Sequence, residues 1–128
     1  MNSTYQVGHV CDSLHCGTQR GEIISALMQL DCRIFEVAQP AGSIVTYHTH
    51  KETESVIVLN GVMQFNVEED LVLVNSGEII TIRANAIHAA APLDNKPAKL
   101  LLAFGNLTGS SGRTVDWDEE KDEDNLFA

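Results

Sequence analysis

A chain of 128 residues, 44% hydrophobic and 20% charged, has the size and apolar content of one ordinary globular domain and leaves little room for a second. Its 8 Lys+Arg against 18 Asp+Glu give a formal net charge of -10, which argues against a sequence-independent grip on nucleic-acid phosphates or an anionic membrane surface. That charge is uneven: residues 116–128 hold seven acids and one lysine, a net of -6, which predicts an acidic, flexible tail behind a single folded body over 1–115.

The N-terminal stretch MNSTYQVGHVCDSLHC lacks a basic start followed by an apolar run, and no segment approaches the ~20 apolar residues of a spanning helix. With three sparse cysteines (Cys11, Cys16, Cys32), a cytoplasmic, thiol-reduced protein is expected. His9, Cys11, His15 and Cys16 put two imidazoles and two thiols within eight residues. Their spacing fits no established metal pattern and favours an N-terminal strand and turn over a second, soft-metal site.

Further along, apolar residues alternate with polar ones in short runs. Met28, Leu30, Cys32 and Ile34 are separated by Gln29, Asp31 and Arg33, which predicts a half-buried strand. Runs over 44–48, 55–59, 62–67, 71–74, 78–82 and 100–104 follow, divided by turn residues at 39–42, 60–61, 68–70 and 75–77. No convincing helical period of ten residues stands out, so the pattern predicts an all-β antiparallel sandwich or barrel.

Asn60-Gly61 between two β-rich runs is a strong hairpin signal. Pairing Leu59 with Val62 would set Val58 opposite Met63 and Val56 opposite Phe65. One face then carries Glu54, Val56, Val58, Met63, Phe65 and Val67, apolar but for one carboxylate. The other carries Ile57, Leu59 and Val62, three large apolar groups that predict a second sheet or a homodimer interface. An ionised Glu54 on the first face needs a proton, a partner or a cation.

The histidines offer the partner. On an extended segment His48 and His50 project to one face, and Glu54 follows four residues later. His88 is the remaining histidine outside the N-terminal segment. Three imidazoles and a carboxylate suit a divalent transition metal: Fe, Mn, Ni, Zn or Cu.

The segment from Gly42 to Gly61, GSIVTYHTHKETESVIVLNG, resembles the first conserved motif of the cupin superfamily: glycine, five residues, His-x-His, three residues, Glu, six residues, glycine. Every defined position is filled. The second cupin motif is matched at Gly77 and His88, while Arg83, Asn85 and Pro92 stand where Pro, Gly and Asn are usual. Asn85 is a mild departure because asparagine tolerates a left-handed backbone. Arg83 is read as a surface residue, with an anion-binding role as the alternative.

The resemblance implies a double-stranded β-helix, or jelly-roll, barrel of six to eleven strands with His48, His50, Glu54 and His88 as metal ligands. It also implies open coordination positions and a homodimer. Val56, Val58, Met63 and Phe65, with Ile44 and Thr46, are expected to wall a pocket for a small molecule that chelates through adjacent oxygens. The leading expectation is a metal-dependent dioxygenase, with an isomerase or lyase on the same residues less favoured. The alternatives are a small-ligand or metal sensor and a structural module without catalysis.

Overall fold

The computed structural model describes residues 4–107; the acidic segment 116–128 lies outside them. In chain order the elements are β1 (Tyr5–His9), α1 (Val10–Leu14), α2 (Arg20–Gln29), β2 (Arg33–Gln39), β3 (Val45–His48), β4 (Glu54–Asn60), β5 (Val62–Val67), β6 (Asp70–Asn75), β7 (Glu78–Ile82), β8 (His88–Pro92) and β9 (Ala98–Phe104). A five-stranded sheet, β1-β7-β4-β9-β2, faces a four-stranded sheet, β3-β8-β5-β6. All pairings are antiparallel. This is the all-β jelly roll expected from the sequence, with two short helices added. Among the described residues no helix is long and apolar enough to cross a membrane.

The helices correct the reading of residues 28–34. Met28 lies in the last turn of α2, a ten-residue helix that buries Ile23 and Leu27 one turn apart and ends at Gln29, and the chain then turns through Asp31 (φ 66°) into β2. The alternation at 28–34 is therefore a helix end followed by a strand start. A carboxylate oxygen of Glu22 accepts from the backbone N–H of Gln19 at 3.2 Å, holding one of the donors at the start of α2.

The predicted β4–β5 hairpin does not form either. β4 pairs with β7 and β9, while β5 pairs with β6 and β8, so Asn60-Gly61 carries the chain from one sheet to the other. Of the two residues only Gly61 is left-handed (φ 92°), so a type I′ turn is not made. A Cβ on Gly61 would lie 2.7 Å from the Pro97 carbonyl oxygen, and glycine is required there on both counts. Alternation survives the error, because parity along each strand is independent of its partner. Val56, Val58, Met63, Phe65 and Val67 all lie in the core between the sheets.

The opposite face of the five-stranded sheet has a cover the sequence reading missed. Ile57, Ile79, Leu101 and Ala103 pack against Val10, Leu14, Ile23 and Leu27 of the helices. Ile57 is thus buried by its own chain and Leu59 is partly buried against the same cluster, while Val62, on β5, belongs to the other sheet and is half-buried. Ser55, fully buried on this face, shares a 2.9 Å hydrogen bond with Thr81 directly opposite it.

Candidate metal centre

Both sheets contribute to one cluster at one end of the barrel. β3 ends on His48, the following turn carries His50, β4 begins on Glu54 and β8 begins on His88. His48 pairs directly with His88 across the β3–β8 ladder, and Glu54 lies opposite Phe104 and Ile82 in the other sheet. One ligand atom from each of His48, His50, Glu54 and His88 falls within 4.8 Å of the others. No other described residues form such a group, so His9, Cys11, His15 and Cys16 are not brought together as one. His9 ends β1, Cys11 lies in α1, and His15 caps that helix in the left-handed region (φ 57°).

The loop before β8 ties the two motifs together. Asn85 takes the left-handed conformation (φ 69°), and its backbone N–H donates to the His50 carbonyl at 2.7 Å. Arg83 is exposed and lies outside the cavity wall; its backbone N–H donates to the Thr4 carbonyl.

Two of the rings are fixed in one tautomer by the main chain. His48 Nδ1 is 2.7 Å from the Thr46 carbonyl oxygen and His88 Nδ1 is 2.9 Å from that of Ala86. A carbonyl only accepts, so each Nδ1 carries the proton and each neutral ring presents the lone pair of Nε2. His88 Nε2 nevertheless lies 2.9 Å from Glu54 Oε1, and His50 Nε2 lies 3.5 Å from the same oxygen. Glu54 is 6% exposed and His88 3%. A lone pair and a carboxylate oxygen held this close, away from water, require positive charge between them: a proton on Nε2 or a cation shared by the cluster. A nitrogen-rich set with one carboxylate suits a divalent transition metal, so these residues fit the ion that the sequence implied.

The rings differ in proton affinity. Burial pushes His50 below the usual imidazole range, and the charges of His48 and His88 add to this against the pull of Glu54. For His88 burial also acts downward, but the hydrogen bond it donates to Glu54, that to the Ala86 carbonyl and the Glu54 charge outweigh it and raise its pKa.

Above the cluster opens a cavity of about 170 Å³. Val56, Met63 and Phe65 line it, as expected, whereas Val58 is sealed in the core and Ile44 and Thr46 are exposed on the surface. Sequence reasoning missed the wall from β2 and β9: Val37, Gln39, Leu100, Leu102 and Phe104. The signal in β2 was brief: Phe35, Glu36 and Val37 alternate, but Ala38 and Gln39 break the pattern. At the rim Arg33 pairs with Glu52, and its guanidinium carbon stands 5.2 Å from the ring centroid of Phe104. Phe104 in turn meets the His50 ring edge-on at 5.1 Å.

Residues 35–104, more than half of the chain, match the family model described as a cupin domain, and the chain belongs to the cupin family. Among curated proteins none matches. Solved structures share the fold at low identity. A conserved protein of unknown function from Streptococcus pyogenes is 19% identical, with a TM-score of 0.54 over 57% of this chain and 62% of that one. An RmlC-like cupin with a double-stranded β-helix fold from Methanocaldococcus jannaschii is 15% identical, with a TM-score of 0.55 over 58% and 69%. The DMSP lyase DddQ from Ruegeria pomeroyi is 22% identical, with a TM-score of 0.54 over 59% and 38%. This chain therefore spans less than two thirds of the length of the streptococcal protein and of the lyase.

Proposed function

We propose that this cupin is a metal-dependent enzyme of the dioxygenase type, acting on a small organic substrate that chelates through adjacent oxygens, and that it works in a thiol-reducing compartment such as the cytoplasm. The observation that carries the metal is the contact of His88 Nε2 with Glu54 Oε1 at 2.9 Å, with His88 Nδ1 already committed to Ala86. The cavity above the cluster supports a substrate: its volume of about 170 Å³ is that of one small ring or chain, and its walls are mainly aliphatic and aromatic. Three unpaired cysteines suit the compartment.

A bound Fe(II) or similar ion would supply Lewis acidity and access to O₂ chemistry. The chain's own residues do the rest. Thr46 and Ala86 lock the rings of His48 and His88 so that the donor atoms are placed before anything binds. Met63, Phe65 and Leu102 exclude water and so strengthen every charge interaction at the cluster. Glu54, buried and next to the open cavity, is positioned to accept a proton from a chelating hydroxyl.

The test starts with elemental analysis of protein purified without a metal-affinity step, where about one transition-metal ion per chain is expected and none would overturn the reading. Oxygen uptake by the iron-reconstituted protein with a panel of diketones and catechols then tests the reaction. Turnover without oxygen uptake would replace the dioxygenase with a lyase or isomerase on the same residues.

A further inference from the structure

The three imidazoles of the cluster are not held in the same way. Nδ1 of His48 and Nδ1 of His88 each bond to a main-chain carbonyl, at 2.7 and 2.9 Å. Among the described residues no main-chain carbonyl takes a ring nitrogen of His50, whose Nε2 stands 3.5 Å from Glu54 Oε1. His50 lies in the turn between β3 and β4, off both ladders, and its side chain is 32% exposed against 4% for that of His88. Its ring plane is therefore set by the side chains that pack against it.

Strand register supplies that packing. Arg33 on β2, Phe104 on β9 and Glu54 on β4 lie opposite one another across three adjacent strands. Opposed residues share a face, so all three belong to the inner side, where Glu54 joins the cluster and Phe104 lines the cavity. Phe104 meets the His50 ring edge-on, with centroids 5.1 Å apart and planes at 71°. Phe35 meets Phe104 in the same manner at 5.9 Å. The Arg33 guanidinium carbon stands 5.2 Å from the Phe104 centroid and 5.8 Å from that of Phe35, and the same guanidinium pairs with Glu52, two residues beyond His50. One arginine thus braces both the ring that touches His50 and the turn that carries it. A planar guanidinium suits both tasks, since its face covers an aromatic ring while its edge pairs with a carboxylate.

We infer that Phe104 and Arg33 are positioning residues for His50, replacing with an aromatic and cationic stack the main-chain hydrogen bond that orients the other two imidazoles. This rests on the metal-site reading above and deepens it. His50 is then the donor whose hold on the ion depends on side-chain packing, and release of the ion begins there.

The test uses the full-length protein loaded with Co(II), released into excess EDTA and followed by the visible spectrum of cobalt. Phe104→Leu, which keeps an apolar side chain and removes the ring, is expected to speed release by about two- to tenfold. Arg33→Gln, an exposed change at the rim that carries the test if Phe104→Leu does not fold, is expected to speed it by about two- to fivefold. Neither is expected to speed release further in a His50→Ala background, while both keep their full factor in a His48→Ala background. If either alanine variant does not retain cobalt, the hyperfine-shifted imidazole N–H protons make the same distinction. Those of His48 and His88 are expected to exchange slowly with water and to stay in place in Arg33→Gln, while that of His50 exchanges faster and moves. Release unchanged by the substitutions, a factor that persists without His50, or N–H signals that all respond alike would overturn the inference and leave the metal site standing. Failure of the wild type to take up cobalt would overturn the metal-site reading and this inference with it.

Discussion

The two sheets of this barrel are built from the same kinds of residue but are covered differently. In the five-stranded sheet both faces of β4 are buried: Val56 and Val58 toward the interior, Ser55 and Ile57 beneath α1 and α2. In the four-stranded sheet only one face is. Val72 and Val74 of β6 turn inward, whereas Leu71 and Leu73 on its outer side are 63% and 48% exposed. A strand buried on both faces loses its alternation and reads as a continuous apolar run, as β4 does, while β5 and β6 keep it. The helix-backed sheet is a fixed wall against which the other sheet and the connecting turns present His48, His50 and His88.

Because the candidate centre joins the two sheets, its removal from either side is the largest effect expected. His48→Ala takes an imidazole from the four-stranded sheet, and Glu54→Gln takes the carboxylate charge from the five-stranded one. Loss of a residue that merely supports a ligand costs roughly 10–100-fold in metal affinity, so each of these is expected to cost at least about a hundredfold. Competition against a chelating dye measures it. A variant that keeps its affinity on one side only would mean that the site belongs to a single sheet.

The same substitution on the two outer faces tests the difference in cover directly. Leu27 is fully buried between α2 and the sheet, and Leu73 is half exposed on the other sheet. Leu27→Ala is expected to destabilise by about 2–5 kcal/mol and Leu73→Ala by less than about 0.5 kcal/mol in urea unfolding. Similar costs would mean that the helices are a loose cover. Ser55→Ala falls between them: it leaves the Thr81 hydroxyl short of a partner on the buried side of a central strand, for about 1–2 kcal/mol.

This difference in cover also decides what could be read from the sequence. His48, His50 and Glu54 were legible because they lie within seven residues of chain and their geometry is set by local extension. His88 was legible through its spacing from Gly77, and the inner faces of β4 and β5 through parity alone. Strand partners were not legible, since Asn60-Gly61 serves a sheet-to-sheet crossing as well as a hairpin. α2 was hidden because Met28 and Leu30, at its exposed end, happened to fall in phase with Cys32 and Ile34 and gave a period of two. Cys32 and Ile34 do pack on the helix side of β2, but Gln39 stayed hidden because it is polar where the rest of that wall is apolar and its position depends on pairing with β9, far away in sequence.

The smallest effect expected lies where the helical cover is pinned to the sheet. Arg20, at the start of α2, reaches Glu36 on the outer side of β2, with Nη2 at 2.6 Å and Nε at 3.1 Å from Oε1. The hydrogen bond from Arg20 holds the Glu36 carboxyl below its ordinary value of 4.5; slight desolvation opposes this, and the charges of Arg20 and Lys99 reinforce it. A carboxyl whose folded pKa is depressed binds fewer protons in the folded than in the unfolded chain. Its contribution is therefore complete above the ordinary value and is lost as pH falls through the lower, folded one. The pair is solvent-exposed and screened by salt, so the contribution is small. Glu36→Gln is expected to lower the urea midpoint slightly at pH 7 and to converge with the wild type as the solution is acidified below 4.5. A gap between the two that widens in acid would show that Glu36 does not stabilise the seam between helix and sheet through its charge.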